Sequence, residues 1–135
     1  MTSRIGIDTN LLLRIAVDDD VVQRNAVEQL LSRLEDGETL RVGLVVVMET
    51  VWVLGRFYGF SKDVILNFLQ SLLERRELEL PDYEAIGNAI DICRNSGAEF
   101  SDAVISEMNR LAGCEATYTF DRTAARKIPG MELLK

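Results

Sequence analysis

The chain has 135 residues, 47% of them hydrophobic and 27% charged, and a net charge of −7 from 22 acids against 15 bases. That length and balance describe one domain able to bury a core without staples, and the negative charge speaks against binding nucleic acid through bulk electrostatics while favouring a basic partner. The sequence has no histidine, which excludes zinc–imidazole sites, Ser–His and Cys–His nucleophiles, and His-assisted attack by a ribose 2′-hydroxyl.

No segment reaches the roughly 18 uninterrupted apolar residues of a membrane span. No basic leader with a cleavage site precedes the first apolar run, so the expectation is a cytoplasmic protein with no membrane partner. Cys93 and Cys114 lie outside any Cys-x-x-Cys spacing and are expected as reduced, small buried hydrophobes.

In chain order, Arg4 to Ile7 reads as a short buried strand, leaving through Asp8-Thr9-Asn10 into a helix over Leu11–Val17. Asp18-Asp19-Asp20 breaks that pattern and starts a second helix, where Val22, Ala26, Leu30, Leu31 and Leu34 keep helical spacing up to Asp36-Gly37. Leu40 to about Val45 is strand-like, and about Val47 to Tyr58 is helical, closing at Gly59. Ser61 is set to cap a helix striped by Val64, Ile65, Phe68, Leu69, Leu72 and Leu73. Glu77–Leu80 reads as a short strand stopped by Pro81-Asp82, and Tyr83 to Arg94 as a helix ending at Asn95-Ser96-Gly97. Ser101 to Leu111 is helical and closes at Gly113; Ala116–Phe120 is a strand, Arg122–Lys127 a short helix, and Met131–Leu134 a last strand.

Strands alternate with helices, and no tight hairpin signals separate them. The expected fold is α/β, a three-layer α/β/α sandwich with a mainly parallel central sheet, as a single domain over residues 1–135.

Four acids stand where a charge is locally out of place. Asp8 ends the apolar run Ile5-Gly6-Ile7, and Asp121 ends Ala116-Thr117-Tyr118-Thr119-Phe120. Asp102 opens the helical pattern of Ala103-Val104-Ile105, and Glu49 interrupts an apolar run from Leu44 to Leu54. Each has a structural explanation. Asp8, Asp102 and Asp121 fit helix N-termini, where aspartate caps free amides. Glu49 fits a thin polar stripe shared with Arg56. Its helical neighbours Val45, Val46, Trp52 and Val53 are apolar, however, and a carboxylate so ringed needs a partner or a shifted pKa.

Taken together, the four acids suggest more than capping. In an open α/β sheet the functional crevice lies at the carboxyl ends of the strands, where Asp8 and Asp121 fall, and the helix starts near Glu49 and at Asp102 can face it. Clustered carboxylates ionise cheaply only around a cation, and a hard one such as Mg²⁺ or Mn²⁺ suits oxygen donors. The chemistry permitted is metal-assisted phosphodiester hydrolysis.

These residues lie in motifs that resemble those of the PIN domain: Ile7-Asp8-Thr9-Asn10-Leu11-Leu12-Leu13-Arg14, Met48-Glu49-Thr50-Val51-Trp52-Val53-Leu54, Phe100-Ser101-Asp102-Ala103-Val104-Ile105 and Tyr118-Thr119-Phe120-Asp121-Arg122. The order and spacing are most similar to VapC-type toxins of toxin–antitoxin pairs, over nearly the whole chain. The resemblance implies an endoribonuclease using Mg²⁺ or Mn²⁺, with Asp8, Glu49, Asp102 and Asp121 at the acidic positions. It implies Asn10 and Thr119 as the small polar residues that hold those carboxylates. It also implies a homodimer, an RNA substrate, and a small VapB-like antitoxin that covers the site and often inserts a basic residue. Ala124 departs from the aromatic residue that many relatives have at that position, a change expected to affect packing more than chemistry.

Arg14, Arg56 and Arg122, with Arg126 and Lys127, are candidates for RNA phosphates, the alternative being surface charge. Asp18-Asp19-Asp20 reads as a solvated turn and helix cap, since adjacent side chains point in different directions. Trp52 reads as core or dimer interface. Three rivals stand beside the toxin reading: a phosphotransfer domain, a non-catalytic binding module on the same fold, and a PIN nuclease of RNA maturation. The first would need a late lysine at a strand exit, where neither Lys127 nor Lys135 stands, and in its phosphatase form also a second aspartate at position 10, where Asn10 stands.

Overall fold

The computed structural model of the chain describes residues 4–135; Met1–Ser3, on which the expectation about a leader bears, lie outside the described residues. The chain divides into two compact units, Met1–Asp82 and Tyr83–Lys135.

In the first unit the order is β1 (Arg4–Gly6), α1 (Thr9–Ala16), α2 (Val21–Ser32), β2 (Thr39–Arg41), α3 (Leu44–Arg56), α4 (Lys62–Leu73) and β3 (Leu78–Glu79). The strands form a parallel sheet in the order β1-β2-β3, with Ile5 opposite Leu40 and Leu40 opposite Leu78. Side chains alternate across a strand, and the two faces differ accordingly. Leu40 and Leu78 are buried. On the other face Arg4 forms an ion pair with Glu79, to which the Thr39 hydroxyl also donates at 3.1 Å. The Arg4 guanidinium holds the Glu79 carboxyl below the usual range. Leu12, Leu54, Leu69 and Leu72, from three helices, complete the apolar interior.

The second unit runs α5 (Tyr83–Ser96), α6 (Phe100–Leu111), β4 (Thr117–Thr119), α7 (Arg122–Lys127) and β5 (Met131–Leu133). Strands β4 and β5 pair in parallel, Thr117 opposite Met131 and Thr119 opposite Leu133. Helices α5 and α6 pack against each other and bury Ile86, Ala89 and Ile90 on one, Phe100, Ala103 and Val104 on the other. The sharp turn between them uses Gly97 at φ 75°, a conformation costly for any residue with a Cβ.

The α/β class and the parallel pairing are as expected, with one parallel sheet in each unit. Among the described residues, no helix is long and apolar enough to cross a membrane. Several expected boundaries move. The strand expected from Leu40 to about Val45 is only Thr39–Arg41, because Leu44 and Val45 already belong to α3. A β-branched run favours strand by propensity, but Val47, Thr50 and Leu54 bury one helical face and override it. The first helix starts at Thr9 rather than Leu11, since Asp8 is its cap. The second ends at Ser32, before Asp36-Gly37. Cys93 is buried as expected, whereas Cys114 is exposed. Trp52 is 58% exposed and so is not a core residue; its ring meets Phe57 edge-on at 5.3 Å.

Candidate functional site

In the first unit, β1 and β2 run side by side and in parallel, so the helices that follow them start at the same end of the sheet. Asp8 follows β1 directly, where Ile7 still donates to the Arg41 carbonyl at 3.1 Å. The Asp8 carboxylate accepts from the Leu11 amide at 3.0 Å and caps α1. Helix α3 buries Val47, Thr50 and Leu54 and turns Val45, Glu49, Trp52 and Arg56 outward, positions that share one helical face. A cleft of about 710 Å³ results, lined by Asp8, Thr9, Asn10 and Arg14 of α1 and its cap, and by Val46, Glu49 and Val53 of α3 with Phe57 and Tyr58 beyond it.

Glu49 was expected to need a partner, and it has one. The Thr9 hydroxyl donates to Glu49 Oε1, tying the start of α1 to the middle of α3. Thr9 escaped the sequence reading, which treated it as part of a turn. The aspartate cap at position 8 signals Thr9 as the first helical residue, though not its contact with Glu49. Asn10 lines the cleft and is exposed; among the described residues it holds neither carboxylate through a hydrogen bond.

In the second unit, Asp121 leaves β4 and caps α7, accepting from the Ala124 amide at 3.0 Å. The Thr119 hydroxyl accepts from the Asp121 backbone amide at 3.0 Å, which fixes the backbone on which the carboxylate is mounted. Asp102 lies in the first turn of α6, whose N-cap is Glu99 without a side-chain cap bond. The expectation that Asp102 opens this helix as its cap is therefore corrected by one turn. Burial pushes its carboxyl pKa up, and the nearby charges of Asp121 and then Glu99 push in the same direction. The Asp121 charge thus acts on the Asp102 carboxyl. The same unit carries a second cleft of about 450 Å³, lined among others by Asp91, Ser106, Glu107, Arg110, Cys114 and Thr117. None of the expected site residues lies there. Its buried carboxylate, Glu107, is paired with Arg110 at 3.0 Å.

Among the described residues, no group of three or more Asp, Glu, His or Cys side chains is arranged to hold a metal. The expected acids occur as two pairs, one in each unit. A pair fits a hard cation, since Mg²⁺ keeps several waters and needs only one or two carboxylates. The like charge of Asp121 acting on Asp102 fits the same chemistry.

The arginines divide. Arg56 and Arg122 are exposed, whereas the Arg14 side chain is only 12% exposed and forms an ion pair with Asp19. The three adjacent aspartates do point apart: Asp18 pairs with Arg24 at 2.5 Å, Asp19 with Arg14, and Asp20 caps α2 through the Gln23 amide at 3.0 Å.

A family model described as the PIN domain matches residues 5–129. No curated protein matches the chain. Similar solved structures include VapBC2 from Rickettsia felis bound to a DNA fragment from its promoter, at 15% identity, covering 98% of this chain and 100% of that one, with a TM-score of 0.39. A toxin–antitoxin complex from Klebsiella pneumoniae is also similar, at 15% identity over 95% of each chain, with a TM-score of 0.33. At such TM-scores neither likeness bears on fold or function.

Proposed function

Because the chain belongs to the PIN-domain family over residues 5–129, we propose that it is a metal-dependent endoribonuclease, a single domain over residues 1–135 that hydrolyses RNA phosphodiester bonds. The observation that carries this reading is the cleft in which Asp8 and Glu49 stand together, with Glu49 held by Thr9. Asp8, Glu49, Asp102 and Asp121 are its carboxylate ligands for Mg²⁺ or Mn²⁺. When bound, the cation supplies Lewis acidity and charge neutralisation for hydrolysis by water. The chain's own residues hold and orient: Asp8 is fixed by capping α1, Glu49 by Thr9, and Asp121 by capping α7 on a backbone that Thr119 steadies. With no histidine in the sequence, a ribose 2′-hydroxyl has no imidazole to activate it, and carboxylates that would hold a cation favour water as the nucleophile.

The toxin assignment rests on the sequence resemblance to VapC-type proteins and not on the remote structural likenesses. In this reading the protein acts in the cytoplasm as a homodimer, and a small antitoxin encoded beside it carries a basic tail. The net charge of −7 suits such a partner. Arg56 and Arg122, exposed in this structure, are the candidates for RNA phosphates.

Purified protein incubated with RNA tests the mechanism. Cleavage should require Mg²⁺ or Mn²⁺ and leave 5′-phosphate and 3′-hydroxyl ends. Cyclic phosphate products, or full activity in EDTA, would overturn it. Co-expression with the neighbouring small gene product tests the partner; a folded neighbour that neither binds nor neutralises would favour an RNA-maturation nuclease.

A further inference from the structure

Arg14 is placed unlike a substrate-contacting arginine. Its side chain is 12% exposed, and its guanidinium meets Asp19 in an ion pair. A second donor reaches the Tyr58 hydroxyl at 3.3 Å, and that hydroxyl donates in turn to Asp19 Oδ2 at 2.7 Å. The three side chains close a triangle in which Tyr58 both accepts and donates. Arg14 Nε is buried and, among the described residues, has no hydrogen-bond partner. The triangle joins side chains from the elements around it.

Those elements are the ones that carry Asp8 and Glu49. Arg14 lies on α1, Asp19 in the link from α1 to α2, and Tyr58 just beyond the C-cap of α3. Asp8 caps α1, and Glu49 lies within α3. The two helices are therefore tied twice along one cleft. Thr9 joins them at the carboxylate end, and Arg14 with Tyr58 joins them at the other. Two ties on two rigid helices fix both separation and rotation, whereas one tie leaves a pivot.

We infer that Arg14, Asp19 and Tyr58 form a latch that fixes α1 against α3 and thereby sets the spacing of the Asp8 and Glu49 carboxylates. Arg14 is then a positioning residue and not a phosphate contact, and Tyr58 is its second half. The inference rests on the proposed role of Asp8 and Glu49 as cation ligands, but the latch itself exists without the cation and can be read in the metal-free protein.

Tyr58→Phe is the sharpest variant, because it keeps the ring near Phe60, 6.0 Å between centroids, and removes both hydroxyl hydrogen bonds. Arg14→Lys keeps the charge beside Asp19 and loses the guanidinium fork. Two measurements are made on each, well below its melting temperature, with circular dichroism confirming the fold. One is amide hydrogen exchange across Thr9–Ala16 without metal; the other is Mn²⁺ affinity by titration calorimetry. Tyr58→Phe should exchange several-fold faster in α1 and bind Mn²⁺ about tenfold more weakly, the scale seen when groups supporting a metal ligand are removed. Arg14→Lys should fall between it and the parent. Parent-like exchange in Tyr58→Phe would overturn the latch. Faster exchange with unchanged Mn²⁺ affinity would overturn its positioning role and leave it a structural tie. A parent that takes up no Mn²⁺ would sink the metal reading instead, and α1 exchange alone would then decide the latch.

Discussion

The two acid pairs are prepared differently. In the first unit, both carboxylates accept hydrogen bonds: Asp8 from the start of α1 and Glu49 from Thr9, inside a cleft whose two walls are tied to each other. In the second, Asp121 is capped into place, but among the described residues Asp102 accepts no hydrogen bond and is burdened by burial and by the charge of Asp121. The first pair is organised by geometry and the second is loaded with charge. The first should therefore be sensitive to loss of a positioning hydrogen bond, and the second to loss of a charge.

The largest expected effect is common to both and tests whether either pair is dispensable. Asp8→Asn and Asp102→Asn each remove a ligand charge while keeping shape. RNA cleavage by either should fall by about a hundredfold or more, since supporting groups alone cost up to that much. Induced expression of the parent should arrest growth, and neither variant should. If one variant cleaves RNA as the parent does, its pair lies outside the reaction.

A medium effect separates the pairs by their threonines. Thr9→Val deletes the hydroxyl that holds Glu49 and should lower Mn²⁺ affinity about tenfold. Thr119→Val deletes only an acceptor for the Asp121 backbone amide, with the Ala124 cap bond left intact, and should cost little affinity. Equal losses would mean that backbone placement matters as much as the carboxylate's own partner.

Much of this could be read from the chain. The capping roles of Asp8, Asp121 and Ser61 follow from residue type and position, and the bounds of α7 match at both ends. What was not legible depends on tertiary packing. No local pattern says that Thr9 meets Glu49, because those residues are 40 apart in sequence. Nothing local says that Asp19 takes Arg14 out of solvent, since an acidic triplet looks like a solvated turn whatever it faces. The strand-like run into α3 misled because β-branched residues favour strands, and only burial of Val47, Thr50 and Leu54 decides for a helix.

The smallest effect is the most specific to the second pair, and it concerns stability without metal. Burial, Asp121 and Glu99 all raise the Asp102 carboxyl pKa. An acid whose pKa is higher in the folded than in the unfolded state binds its proton more tightly when folded. Its charge therefore costs stability above the raised folded value, and the cost fades as pH falls through that value towards the unfolded one. At neutral pH, Asp102→Asn should be more stable than the parent by up to about 1 kcal/mol, after discounting for partial solvent screening. A counter-effect exists, because Asp102 lies in the first turn of α6, where a negative charge gains from the helix dipole. It is opposed by the like charges of Glu99 and Asp121 close by, so the net sign favours asparagine. The advantage should shrink as pH is lowered, since the parent's carboxyl is then neutral as well. Added Mg²⁺ should raise the melting temperature of the parent more than that of the variant, because a cation stabilises only the state that binds it. Thermal melts of both proteins in EDTA and in Mg²⁺, at neutral and acid pH, read all three signs. A variant less stable than the parent in EDTA, and equally affected by Mg²⁺, would assign Asp102 to the helix dipole and remove the charge-loaded pair from the comparison.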